Sequence, residues 1–163
     1  VRGELVYLGA GSNLGRRYLN IKDAAAKLSV VLSRFEMSRI YETPPMYEEK
    51  QPKFLNCVFR GLCEIEPLEL LAVIHEIEIA AGRDREKSGW MGPRPIDIDI
   101  LLFGKRIIDS KELTVPHPRM KERPFVLLPL VEMAPDLYDP VTFDKYVDLP
   151  CAAERKGIYY YTD

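Results

Sequence analysis

Histidine is scarce in this chain, with only His75 and His117, and cysteine occurs three times, at Cys57, Cys63 and Cys151, never as CxxC. So few ligands argue against a zinc site, and an odd, scattered set of cysteines argues against a disulfide framework. His75-Glu76 opens like a zinc-protease helix, but no second histidine follows at the required spacing, and that motif fails. No apolar run is long enough to span a bilayer, and no signal-peptide pattern occurs. An excess of positive charge is also lacking. The formal net charge of −2 offers no general attraction to nucleic acid or to an anionic membrane. No GxxxxGK followed by Ser or Thr is present, so a P-loop is excluded. In GAGSNLG (Gly9–Gly15) the third glycine falls one place late for a dinucleotide fingerprint, and the plainer reading is a turn from which Ser12 and Asn13 start a helix. What remains is an ordinary globular composition, 47% hydrophobic and 29% charged. One domain over residues 1–163 is expected, a monomer acting on small molecules in the cytoplasm.

The most informative stretch is GPRPIDIDILLFG, Gly92–Gly104. Ile96, Asp97, Ile98, Asp99 and Ile100 alternate with the period of a half-buried strand. The isoleucines therefore face a core, and the two carboxylates stand on the other face, roughly 6–7 Å apart at the backbone. The run then turns wholly apolar through Phe103, which predicts an interior strand covered on both sides. On spacing alone, Asp97 and Asp99 are equally the wet face of an ordinary strand. Arg94 precedes them, however, and Arg83 and Arg85 lie a short loop upstream. Paired acids suit Mg²⁺, and guanidiniums suit phosphate, so the set fits phosphoryl transfer.

Around this strand the pattern predicts further elements. Leu5–Leu8 reads as a short first strand, and Ile21, Ala24, Ala25, Leu28, Val31 and Leu32 recur at helical spacing. A second strand is predicted over Phe35–Tyr41, ending at Thr43-Pro44-Pro45, and a third from Phe54 to about Ile65, the two forming a hairpin. Pro67 and Gly82 bracket a second helix. On it His75 and Glu78 are three apart, and Glu78 has either a ligand role or a surface ion pair. Asn56 carries donors and an acceptor that suit a heterocycle edge, or a strand-end amide. Gly104-Lys105-Arg106 is expected to turn the acidic strand back into Ile107-Ile108 as a hairpin. One prolyl loop and helical turn then gather His117, Arg119, Lys121 and Arg123, before a last buried helix from Phe125 to Val131. No function is legible in the tail from Pro135 onward.

Six blocks together resemble the 6-hydroxymethyl-7,8-dihydropterin pyrophosphokinases of folate biosynthesis: GSNLG (Gly11–Gly15), Tyr41-x-Thr43-Pro44-Pro45, Gln51-Pro52-x-Phe54-Leu55-Asn56, GRxR (Gly82–Arg85), GPRxIDIDIL (Gly92–Leu101) and VPHPRMxER (Val115–Arg123). The resemblance implies an α+β fold with a ferredoxin-like core, a mainly antiparallel sheet flanked by helices as a three-layer sandwich. It implies transfer of pyrophosphate from ATP to the hydroxymethyl group of the pterin, with release of AMP and with two Mg²⁺ ions on Asp97 and Asp99. By the same resemblance, Arg83, Arg85 and Arg94 serve catalysis and phosphate binding. Glu78, Ile100, Thr114, His117 and Arg123 serve ATP, and Thr43, Pro45, Met46, Phe54, Asn56 and Phe125 serve the pterin. Met91 separates Trp90 from Gly92, a departure from the family pattern. The competing readings are another Mg²⁺-dependent nucleotidyl transferase and an inactive pterin- or nucleotide-binding relative.

Overall fold

The computed structural model describes residues 2–46, 50–82 and 92–162. The sequence run is β1 (Glu4–Ser12), α1 (Arg17–Val31), β2 (Ser33–Met37), β3 (Tyr41–Thr43), β4 (Phe54–Cys63), α2 (Pro67–Ala80), β5 (Asp97–Phe103), β6 (Ile108–Asp109), β7 (Thr114–Val115), α3 (Pro124–Met133) and β8 (Tyr159–Tyr160). The main sheet runs β5-β1-β4-β3-β8, with β2 also on β4, and the pairings among the described residues are antiparallel. That order is ferredoxin-like.

Alternation along the strands splits the core into two layers. Val6, Leu8, Ala10, Leu55, Cys57 and Phe59 pack under α1 and α2 with Ile98 and Ile100. Tyr7, Val58, Leu101 and Leu102 pack instead against Val126, Leu127 and Leu130 of α3. The period of two breaks inside β5, where the register with β1 slips between Tyr7 and Leu8. A bulge places Leu101 and Leu102 on the same side, which explains the wholly apolar run.

Several boundaries differ from the sequence expectation. β1 is nine residues long and carries Gly9–Ser12 within the ladder, so the glycines are strand residues and α1 begins only at Arg17. The strand predicted over Phe35–Tyr41 is two strands. Ser38 interrupts it: its N–H donates to the Val58 carbonyl, and its Oγ takes the Val58 N–H at 2.8 Å, replacing a ladder acceptor. β5 is covered on both faces but is not interior to the pairing; it lies at the edge of the sheet. Its outer edge is closed by side chain and loop: Glu78 Oε2 accepts the Ile98 N–H at 2.9 Å, and the His117 N–H donates to the Leu101 carbonyl at 2.9 Å. Ile107-Ile108 accordingly does not fold back on β5, and β6 pairs with β7.

The second helix begins and ends as its sequence dictates. Pro67 occupies its first turn, Glu66 and Glu69 form a capping box, and Gly82 follows at φ +96°. The tail is part of the fold. β8 extends the sheet beside β3, with the Tyr160 ring 5.0 Å from that of Tyr41 and the Arg39 guanidinium 3.8 Å above the Tyr160 ring.

Candidate active site

A cavity of about 530 Å³ opens on the α3 side of the sheet. Its floor follows from strand register. Gly11 lies opposite Asn56 on one side and Asp97 on the other, and Gly9 lies between Val58 and Asp99. Directly paired residues share a face, so two alternate glycines leave the sheet bare between Asn56 and the acidic pair. A Cβ at Gly11 would stand 2.6 Å from Asn56 Oδ1. The sequence signal was there, since glycines two apart after an apolar strand mark an emptied face. The plainer reading, a turn, gives way to strand.

Part of the cavity lining is apolar. Phe54, Phe125, Met46 and Pro44 supply it. The buried Asn56 Nδ2 donates to Thr43 Oγ1 at 2.6 Å, which fixes the amide and leaves its oxygen on the Gly11 side. Thr43 pairs with Phe54 across β3 and β4, which ties the hydroxyl that holds Asn56 to the position of the ring.

Beside the rings the lining is charged. Arg94 Nη1 lies 3.5 Å from Asp97 Oδ2, and Arg123 Nη1 lies 3.5 Å from Asp99 Oδ2. Both arginines are 8% exposed, and guanidinium is the cation that tolerates burial beside carboxylates and rings. Arg94 stands 5.4 Å from the centroid of Phe54, and Arg123 stands 5.8 Å from that of Phe125.

His117 Nε2 is 3.8 Å from Asp99 Oδ2, and its Nδ1 accepts the Arg119 N–H at 3.2 Å. Burial pushes the His117 pKa down to about 4, helped by the positive charges of Arg123 and Arg119 and opposed by Asp97. The ring is therefore neutral at pH 7 and carries its proton on Nε2, facing the acids.

The fold gathers into this one cavity Thr43, Met46, Phe54, Asn56, Arg94, Asp97, Asp99, His117, Arg123 and Phe125. Four expected residues stand elsewhere. Pro45 is half-buried, and its neighbour Pro44 lines the cavity instead. Ile100 points into the opposite core layer, because it alternates with Asp99. Thr114 is exposed on β7. Glu78 is 3% exposed under β5, whereas His75 is exposed, so the two do not share a working face. Arg83, Arg85, Trp90 and Met91 lie outside the described residues. Gln51, Pro118 and Arg119 also line the cavity; all three lie in the family-like blocks, which is the only signal the sequence offers for them.

Asp97 and Asp99 offer oxygen donors only, partly open to solvent, with side chains 25% and 35% exposed. Among the described residues no group of three or more His, Cys, Asp or Glu could enclose an ion. Two carboxylates with open positions fit a hard cation that keeps waters and substrate oxygens, as Mg²⁺ does.

Comparison with known proteins extends the pattern. Residues 7–135 match the sequence profile described as 7,8-dihydro-6-hydroxymethylpterin-pyrophosphokinase (HPPK). The 2-amino-4-hydroxy-6-hydroxymethyldihydropteridine pyrophosphokinase of Aquifex aeolicus is 42% identical over 136 residues, covering 83% of this chain and 84% of that protein. The folic acid synthesis protein fol1 of Pneumocystis carinii is 41% identical over 172 residues, covering 97% of this chain but 23% of that protein. The chain thus spans about a quarter of the length of such longer relatives. The Plasmodium falciparum HPPK-DHPS crystallised with pteroate superposes with a TM-score of 0.71 at 19% identity, over 91% of this chain and 42% of that one. That match supports the fold.

Proposed function

Because the chain belongs to the 7,8-dihydro-6-hydroxymethylpterin-pyrophosphokinase family, we propose that it moves the terminal pyrophosphoryl group of ATP to the hydroxymethyl oxygen of 6-hydroxymethyl-7,8-dihydropterin, releasing AMP in folate biosynthesis. The observation that carries the reading is a single cavity whose lining combines two phenyl rings and a fixed amide with two carboxylates and two buried guanidiniums.

Phe54 and Phe125 stack on the faces of the pterin, and Asn56, locked by Thr43, reads its edge. The bare floor at Gly11 lets the hydroxymethyl arm lie across the sheet toward Asp97. The hydroxyl oxygen attacks the β-phosphorus, the bond from that phosphorus to the α,β-bridging oxygen breaks, and AMP leaves with the oxygen. The hydroxyl proton passes to one of the partly exposed carboxylates, Asp97 or Asp99, or to solvent water. Arg94 and Arg123 meet the phosphate oxygens, with Arg83 and Arg85 assigned the same task. Neutral His117 donates from Nε2 without adding charge. Asp97 and Asp99 would hold Mg²⁺, two ions in this reading; bound metal neutralises the triphosphate and stabilises charge on the departing AMP. Pro45, Glu78, Ile100 and Thr114 stand off the lining and receive no direct contact in this scheme. The chain is taken to work as a monomer on small molecules in the cytoplasm, consistent with its three free cysteines.

The test is a product assay with ATP, Mg²⁺ and the pterin, with and without EDTA. AMP formed in step with pterin pyrophosphate, and abolished by EDTA, is expected. ADP would mark an ordinary kinase, and free pyrophosphate a nucleotidyl transferase.

A further inference from the structure

Asn13 lies just past β1 and does not line the cavity, yet it is only 2% exposed and joins the two cavity walls. Its main-chain N–H donates to the Arg94 carbonyl at 3.1 Å, and its Oδ1 accepts the Arg94 N–H at 2.8 Å. Its Nδ2 donates to Gln51 Oε1 at 2.8 Å and to the Pro52 carbonyl at 3.0 Å. The partners fix the amide orientation, because an N–H can only donate and a carbonyl can only accept. Both donors and the acceptor of one amide are therefore in use.

The two sides joined in this way face different substrates. Gln51 lines the cavity just ahead of Phe54, and Arg94 lines it 3.5 Å from Asp97. No other side chain of this size supplies an acceptor to one side and two donors to the other, apart from the asparagine amide itself. We propose that Asn13 is a positioning residue: it holds the segment leading into Phe54 and the Arg94 main chain in fixed register, so that the pterin and the phosphates meet in line. A shift of about 1 Å between reacting groups is enough to cost two orders of magnitude in rate. The proposal rests on the two-substrate transfer argued above.

Asn13→Asp separates the two arms. A carboxylate keeps the acceptor toward the Arg94 N–H and loses both donors toward Gln51 and Pro52. Steady-state constants per folded enzyme are to be measured for the wild type, Asn13→Asp and Asn13→Ala, with melting curves alongside. Asn13→Asp should raise KM for the pterin about tenfold, the factor that one to two net hydrogen bonds supply, and leave KM for ATP within about twofold. Asn13→Ala should raise both and lower kcat. A lowered melting temperature with unchanged constants, or an equal rise in both KM values for Asn13→Asp, overturns the proposal. If Asn13→Ala is insoluble, the isosteric Asn13→Asp decides alone. If the wild type itself forms no AMP, the functional reading fails, and the clamp is judged by binding: Asn13→Asp must weaken pterin binding and spare ATP.

Discussion

The carboxylate of Glu78 accepts the main-chain N–H of Ile98, the residue between Asp97 and Asp99, at 2.9 Å and out of solvent. An edge strand exposes unpaired amides, and here helix α2 supplies the missing acceptor. The acidic pair is thus held from behind by a third acid that never enters the cavity. Glu78→Ala leaves a buried donor without its acceptor and should cost roughly 1–3 kcal/mol of stability, with a parallel fall in turnover. Glu78→Gln keeps a carbonyl acceptor and should lose less of both. Urea denaturation and AMP formation check this, and a Glu78→Ala protein of wild-type stability would refute the assignment.

Asp97→Ala and Asp99→Ala should each lower turnover by orders of magnitude, on the order of 10²-fold or more, because each removes an expected metal ligand. Both side chains are partly exposed, so the variants should still fold. Turnover as a function of Mg²⁺ concentration is the measurement. A near-wild-type rate in either variant would sink the metal assignment.

Gly11→Ala places a methyl group 2.6 Å from Asn56 Oδ1. Asn56 cannot swing away without breaking its bond to Thr43. Pterin affinity should fall about tenfold or more, as when a positioned hydrogen-bonding group is lost, with ATP affinity spared. Fluorescence titration of the pterin separates the two ligands, and unchanged pterin binding would show that the floor need not be bare.

Burial pushes the His117 pKa from its ordinary 6.5 down to about 4 in the folded protein. Between those values the unfolded chain binds the extra proton, so stability should be full above about pH 6.5 and decline as pH falls toward 4. His117→Asn should flatten that part of the slope. Urea midpoints at pH 7, 5.5 and 4.5 for both proteins provide the comparison, and identical slopes would contradict a buried neutral ring.

The tail is open to the same kind of test. Tyr160 packs on Tyr41, lies under Arg39 and donates from its hydroxyl to Glu132 Oε2 at 2.9 Å. Tyr160→Ala should lower the melting temperature by several degrees, the shift that about 1–2 kcal/mol produces in a domain of this size, and weaken pterin binding through β3. An unchanged melting curve would reduce β8 to an ornament of the sheet edge.

The sequence by itself determined the parts that depend on local period and on residue chemistry. Alternation in Ile96–Ile100 placed two acids on one strand face, Pro67 and Gly82 bounded α2, and the arginines and prolyl loop announced an anionic ligand. Local rules reach that far because strand and helix periods are properties of neighbours along the chain. Only the tertiary structure decided what each face meets. Gly9 and Gly11 form a bare sheet face only because β4 and β5 flank them, and Glu78 meets the Ile98 N–H only because α2 packs against β5. Ser38 broke a strand through a partner twenty residues away. Asn13 gained its place from Gln51 and Arg94, thirty-eight and eighty-one residues distant. Such contacts depend on sheet order and register, which are fixed by the packing of the whole core and are written in no single stretch.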